Sequence, residues 1–350
     1  MKIQWLMKAS IISIKYFNYN NKKITTDSQI LKICEFAVKK LHQIVAEKTI
    51  KIGTRDSELA LWQAKTVEKL LNDLGHKTEI VAVKAQGDLL LDKPLYELGI
   101  TGIFTKTLDI AMINSQIDIA VHSMKDVPTA LPIGIMQGAV LKRANEKDIL
   151  VYNDNLNFLD SEATIATGSL RRQAMWLNKY PNHKVVDLRG NVNTRMQKLK
   201  DNNWNGAIFA AAGLERINIK PENFIDLNWM IPAPAQGAMV IHAMQNDEFC
   251  KDAVSELNDL ETDICTYIER QFLRTLEGGC TAPIGALAIF NEDEISFKGI
   301  LLSIDGKQKI EVEKIVPIEE WKKLGYNLAQ EILTNGGTEL MKNIKDNVKK

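Results

Sequence analysis

From residue 49 onward the chain alternates short apolar runs at the two-residue period of strands with longer stretches whose apolar positions return every three or four residues. Residues 49–54 predict a strand. Leu59, Trp62, Val67, Leu70 and Leu71 predict the helix after it, capped by Asp56 or Ser57 and ending near Gly75. A strand over 78–84, a loop through Gly87 and Asp88, a glycine-bearing LGITGIF segment and a helix over about 104–114 come next. Ile117, Ile119 and Val121 then alternate with Asp118, Ala120 and His122, which predicts a half-buried strand. It runs into Ser123, Met124, Lys125 and Asp126, and Pro128 stops it. A Lys beside an Asp at a strand's carboxyl end stands where open α/β sheets bind ligands. As a plain surface pair the two would contribute under ~1 kcal/mol. A strand over 134–141 and a polar joint at 143–147 close this first unit.

A second α/β unit begins near Asp148. Strand 163–167 leads through Gly168 and Ser169 into a helix opening with Leu170, Arg171 and Arg172, and strand 184–188 leads through Arg189 and Gly190 into a helix opening over 191–195. Strand 206–211 leads through Gly213 to Leu214, Glu215 and Arg216. The stretch IPAPAQGAMVIHAM, residues 231–244, reads as a Pro-rich crossover and a strand returning to the first unit. Two such crossovers would form a hinge over a cleft. Helices near 247–258 and 261–276, the loop LEGGCTAPIG over 276–285, and a small third unit follow, with strands at 286–290, 294–302 and 307–316 and helices at 319–333 and 337–348. Residues 1–48 carry nine Lys against Asp27, Glu35 and Glu47. They read as a mobile leader with one helical face over 28–47, either a targeting segment or the product of a start codon placed upstream of the true one.

Composition narrows the class. The 350 residues balance 44 basic against 44 acidic side chains, which argues against a nucleic-acid binder, and no run is apolar enough to span a membrane. Cys34, Cys250, Cys265 and Cys280 lack zinc-site or disulfide-scaffold spacing and read as thiols of a reducing compartment. His42, His76, His122, His183 and His242 are scattered, so no metal site is expected.

Arg is rationed, at nine of the 44 basic residues, and five of the nine (Arg171, Arg172, Arg189, Arg195 and Arg216) fall within about fifty residues. Guanidinium grips carboxylates through a planar fork, whereas Lys is a point charge. Cations at a helix amino end oppose the helix dipole unless an anion binds there. Arg55, just before the helix capped near Ser57, repeats the arrangement in the first unit. The alternative for any one of them is a solvated surface Arg.

Cys280 lies among Gly278, Gly279, Thr281, Ala282 and Pro283, small residues that let its sulfur approach another group. Together with KIGTRDSELALWQA, GIFTKTLD, DIAVHSMKDVPT, GSLRRQ, LRGNVNTR, AAGLERI and PAQGA, the LEGGCTAPIG loop resembles the porphobilinogen deaminase (hydroxymethylbilane synthase) family, in order over about residues 49–345.

The resemblance implies an α/β protein of three domains: two lobes like those of type II periplasmic binding proteins and a small α+β C-terminal domain. Expected boundaries are 49–144 plus 238–258, 145–237 and 259–350, after an extension over 1–48. It implies a transferase that condenses four porphobilinogen molecules, each losing ammonia, on a dipyrromethane cofactor joined to Cys280 by a thioether, and then releases the linear tetrapyrrole by hydrolysis. Asp126 is the implied acid–base residue, protonating the leaving amine, stabilising the azafulvene cation and accepting the pyrrole proton. Arg55, Ser57, Lys125, Arg171, Arg172, Arg189, Arg195 and Arg216 are the implied carboxylate-binding set, with Gln63, Thr167, Ser169 and Asn191 as further polar contacts. A cytoplasmic monomer without membrane or nucleic-acid partner is expected. Three positions depart from the common pattern: Thr101 for Lys, Gly168 for Ser, and Ala235 for Gly. The competing reading is a two-lobed polycarboxylate-binding protein without chemistry.

Overall fold

The computed structural model describes residues 48–83, 105–276 and 282–348. The leader, the LGITGIF segment with Thr101, and Cys280 lie outside the described residues. In the first unit the chain forms β1 (Ile50–Thr54), α1 (Glu58–Asp73), β2 (Thr78–Ala82), α2 (Lys106–Ile113), β3 (Ile119–Ser123) and β4 (Ile135–Leu141). Ser57 caps α1 by accepting from the Ala60 amide, and the helix buries Gln63, Ala64, Val67 and Leu71 along one face.

After β4 the chain enters a second sheet with β5 (Asp148–Tyr152), β6 (Thr164–Ala166), α3 (Leu170–Lys179), β7 (Lys184–Val186), α4 (Val192–Asp201), β8 (Gly206–Ala210), α5 (Ala211–Arg216) and β9 (Phe224–Asp226). It then returns through β10 (Met239–Met244) and α6 (Glu248–Ser255). Last come α7 (Leu260–Thr275), the antiparallel meander β11 (Ile284–Asn291), β12 (Glu294–Leu302) and β13 (Lys309–Pro317), then α8 (Leu324–Ile332) and α9 (Thr338–Val348).

The two five-stranded sheets share one plan. Their orders are β2-β1-β3-β10-β4 and β7-β6-β8-β5-β9. In each, three strands run parallel and the fourth in order is antiparallel to both neighbours. That antiparallel strand, β10 or β5, is the one entered directly from a crossover. The repeat gives a mixed α/β fold with two lobes and a small C-terminal α+β unit, whose core gathers Ile268, Phe272, Phe297, Leu301 and Leu328. No helix among the described residues is long and apolar enough to cross a membrane.

Three expectations are corrected. The strand over Ile119–Ser123 is buried on both faces, not one, because β1 and β10 flank it and helices cover it, so Ala120 and His122 are as hidden as Ile119 and Val121. It ends at Ser123, and a 3-10 turn, Met124–Asp126, stands between it and Pro128. Arg216 closes the short α5 and does not open a helix. A cation at that end suits the helix dipole without any bound anion. Strands β5 and β9 had no sequence expectation of their own.

Candidate active site between the lobes

The Met124–Asp126 turn is held from three sides. The Met124 amide donates to Ala238 O at 3.1 Å, tying the turn to the returning crossover. Gln63 of α1 donates from Nε2 to Ser123 Oγ at 2.8 Å. From α7, Arg270 donates to the carbonyl oxygens of Met124, Val127 and Pro128 at 3.3, 2.9 and 2.7 Å. The backbone beneath Lys125 and Asp126 is therefore fixed by the C-terminal unit as well as by its own lobe.

Beside this turn lies a buried charged node centred on Asp148, the first residue of β5. Arg171 Nη1 donates to Asp148 Oδ2 at 2.7 Å and to Ile231 O at 2.8 Å. Arg172 Nε donates to Asp148 Oδ1 at 2.9 Å, and its Nη1 donates to Ile208 O at 2.9 Å. Gln236 Nε2 adds bonds to Asp148 Oδ1 and Glu146 O, at 2.9 and 2.7 Å, while Lys125 Nζ donates to Gln236 Oε1 at 3.2 Å. Burial alone would raise the Asp148 carboxyl, but Arg171 and Arg172 hold it far below the usual range. The carboxylate these two Arg grip in this structure is thus an internal one.

Positive charge exceeds what Asp148 neutralises. Lys125 is half-buried, yet desolvation, and after it Arg172, brings its ammonium down to about 8 against the opposing pull of Asp126 and Asp148. Arg195 is lowered to about 10 by desolvation and by Arg172, again opposed by Asp126. Arg189 also presses on Arg195, and its own Nε donates to Asp187 Oδ2 at 2.8 Å. Arg171 Nε and Arg195 Nε are buried without a hydrogen-bond partner among the described residues. Buried donors of this kind cost about 1–3 kcal/mol each when left unmet, so the node suits an added polycarboxylate.

The other candidates divide. Ser169 caps α3 by accepting from the Arg172 amide, and Thr167 Oγ1 accepts from the Ser169 amide, so both shape the turn that presents Arg171 and Arg172. Asn191 caps α4, accepting from Thr194 N at 2.9 Å and Thr194 Oγ1 at 3.0 Å. Arg216 donates to Gly237 O at 2.6 Å and lies 5.7 Å over the Trp62 ring, while Asn193 reaches Glu58 at 2.6 Å, so these contacts join the lobes on the α1 side. Arg55 is half-buried, and its charge acts on His122. Sequence reasoning missed Asp148, Gln236 and Arg270. A lone Asp heading the apolar run DILVY was the available signal for the first. Cys250 and Cys265 are buried, and burial pushes both thiols up to about 12, in keeping with inert side chains.

Two of the departures noted in the sequence acquire geometric content. A Cβ at Gly168 would sit 2.5 Å from Leu188 O, so no side chain fits this turn without a backbone shift. Ala235 sits at φ +63°, in the left-handed region that favours Gly.

Fold and site together define a two-lobed α/β protein with a buried, cation-rich node beside a Lys–Asp turn. The chain belongs to the porphobilinogen deaminase family: residues 50–252 match "Porphobilinogen deaminase, dipyromethane cofactor binding domain" and residues 264–334 match "Porphobilinogen deaminase, C-terminal domain". It is 41% identical over 293 residues to a probable porphobilinogen deaminase of Methanocaldococcus jannaschii, covering 80% of this chain and 99% of that one. It is 40% identical over 302 residues to porphobilinogen deaminase of Campylobacter fetus, covering 85% and 99%. Among solved structures, an ancestral cationic amino acid solute binding protein shares 15% identity at a TM-score of 0.41, over 62% of this chain and 91% of that chain. The first two lobes are therefore a dipyrromethane cofactor-binding domain, and the reading as a binding protein without chemistry is not favoured.

Proposed function

We propose that this chain condenses four porphobilinogen molecules head to tail, as a transferase that loses one ammonia per unit and releases the linear tetrapyrrole by hydrolysis. The observation that carries the mechanism is the surplus of buried cation around Asp126, with two guanidinium Nε groups that have no hydrogen-bond partner among the described residues. When bound, the dipyrromethane supplies the pyrrole end to which substrate units are joined. Cys280, within a run of small residues in the sequence, is the proposed thioether attachment.

Arg171, Arg172, Arg189 and Arg195, with Lys125, would hold the acetate and propionate groups of the pyrroles. Arg55 and Ser57, from the β1–α1 turn, and Arg216 are proposed to extend that set. Gln63 holds Ser123, while Thr167, Ser169 and Asn191 shape the turns that carry the Arg. Asp126 is proposed to protonate the amine that leaves the substrate, to stabilise the positive charge left behind, and to take the proton released as the pyrrole ring recovers aromaticity. Its fixed backbone keeps the carboxyl in place through repeated turnovers.

The division into 49–144 plus 238–258, 145–237 and 259–350 is proposed as the domain plan, with the protein a cytoplasmic monomer acting without nucleic acid or membrane. Intact mass tests the reading directly. The purified chain should be heavier than its sequence by one dipyrromethane, and Cys280→Ser should abolish both the increment and activity. An active preparation with unmodified mass would overturn the cofactor attachment.

A further inference from the structure

The first lobe carries a second buried constellation, apart from the Arg node. In the antiparallel pairing of β3 with β10, His122 lies opposite Val240 and His242 opposite Ala120, so the two histidines stand diagonally on one face of the sheet. Their ring centroids are 5.0 Å apart. Asp109, in the first turn of α2, packs against that same face. One ligand-type atom from each of Asp109, His122 and His242 lies within 4.8 Å of the other two.

These residues are 7%, 6% and 1% exposed, and among the described residues Asp109 Oδ1, His122 Nε2 and His242 Nδ1 each lack a hydrogen-bond partner. Three buried, unmet polar atoms on residues that converge this closely are costly unless something sits between them. A contrasting trio shows what a satisfied cluster looks like. Asp118, Asp247 and Cys250 also converge, but the Lys48 ammonium occupies their centre, 2.7 Å from Asp247, 3.2 Å from Asp118 and 3.6 Å from Cys250 Sγ. Asp109, by contrast, has a side-chain hydrogen bond with Thr105.

We propose that Asp109, His122 and His242 form a binding site for one divalent transition-metal ion of the zinc class. Two imidazoles and one carboxylate make a borderline donor set that suits zinc, and ligand atoms around such an ion stand about 3–3.5 Å apart, within reach of small side-chain rotations. A neutral imidazole offers a metal one ring-nitrogen lone pair, and both rings are buried with one ring nitrogen each unpartnered among the described residues. Arg55 beside His122 and Arg270 beside His242 oppose a cation there, and Asp109 is the compensating charge. An ion so placed would clamp α2 to β3 and β10 directly behind the turn that carries Lys125 and Asp126. The site goes beyond the condensation chemistry and does not depend on it.

The test uses the full chain with its cofactor attached, stripped by chelator and titrated with Zn²⁺ by calorimetry and with Co²⁺ by visible absorption. One ion per chain is expected, with the intense d–d bands of a low-coordinate Co²⁺ site and a rise in Tm with Zn²⁺. Asp109→Asn and His242→Ala should each weaken binding by at least about 100-fold, the upper end of what loss of an outer-shell partner costs. X-ray absorption on the wild-type Zn²⁺ complex, which needs no variant to fold, should show two imidazole ligands. Absence of stoichiometric binding, unchanged affinity in His242→Ala, or a zinc shell without imidazole would overturn the proposal and leave a buried water or an Asp109–His hydrogen bond as the occupant.

Discussion

Glu269 Oε1 lies 2.6 Å from Arg143 Nη1, and this pair ties together the two crossovers and the C-terminal sheet. The fully buried carboxylate also accepts from Arg143 Nη2 at 3.1 Å, from the Ala235 amide at 2.6 Å and from the Ala288 amide at 2.8 Å. Arg143 belongs to the outgoing crossover, Ala235 to the returning one and Ala288 to β11. The next residue along α7, Arg270, holds the Met124–Asp126 turn. One helix therefore braces both crossovers and the turn that carries the proposed acid–base residue.

Removing Glu269 leaves Arg143 and two amides unmatched in the interior. Glu269→Ala should destabilise the chain by about 3–5 kcal/mol, the range for breaking one side of a buried ion pair. Denaturant unfolding followed by circular dichroism measures this, and a loss under about 1 kcal/mol would place the pair among surface ion pairs.

Ala235 gives a change in the opposite direction. Its φ of +63° costs a side-chain-bearing residue about 1–2 kcal/mol, while Gly costs about 0.5–1 kcal/mol in lost chain freedom. Ala235→Gly should therefore stabilise the protein by about 0.5–1 kcal/mol, since the amide to Glu269 survives the change. A lowered Tm would show that the Cβ contributes packing that outweighs the strain.

Asp126→Asn keeps the size of the side chain and removes its proton chemistry. The variant should fold and retain the dipyrromethane mass increment, yet lose about 10²–10⁴-fold in turnover. Rapid-quench rates of ammonia release, read alongside intact mass, separate the two effects. Near-normal turnover would remove Asp126 from the mechanism.

Lys125 links the site to pH. Its pKa falls from 10.5 to about 8 because desolvation and Arg172 disfavour the charged form. A folded value below the unfolded one means the charged ammonium costs stability below pH 8, and that cost is relieved as pH rises from about 8 past 10.5. Substrate grip runs the other way: if the ammonium holds a carboxylate, KM should rise as pH climbs through about 8. Lys125→Arg should flatten that rise. A wild-type KM independent of pH across this range would remove Lys125 from carboxylate binding.

The strand and helix order was legible in the chain because burial imposes its period on every element: β1, α1, β3 and the three-strand meander fall within a few residues of where periodicity puts them. The rationed Arg suggested carboxylate recognition, and Ser57 could be read as a cap from its place before a helix, whereas the capping roles of Ser169 and Asn191, expected only as polar contacts, appear in the structure. What periodicity does not carry is the partner of a side chain far along the chain. That Arg171 and Arg172 share Asp148, that Arg216 ends a helix, and that Glu269 joins two crossovers to a third sheet follow from how the sheets are stacked. The same holds for the histidines. His122 and His242 looked scattered because they are far apart in sequence, and only the antiparallel register of β3 with β10 makes them neighbours. Local pattern records which face a residue turns to the core, whereas strand pairing decides what it meets there.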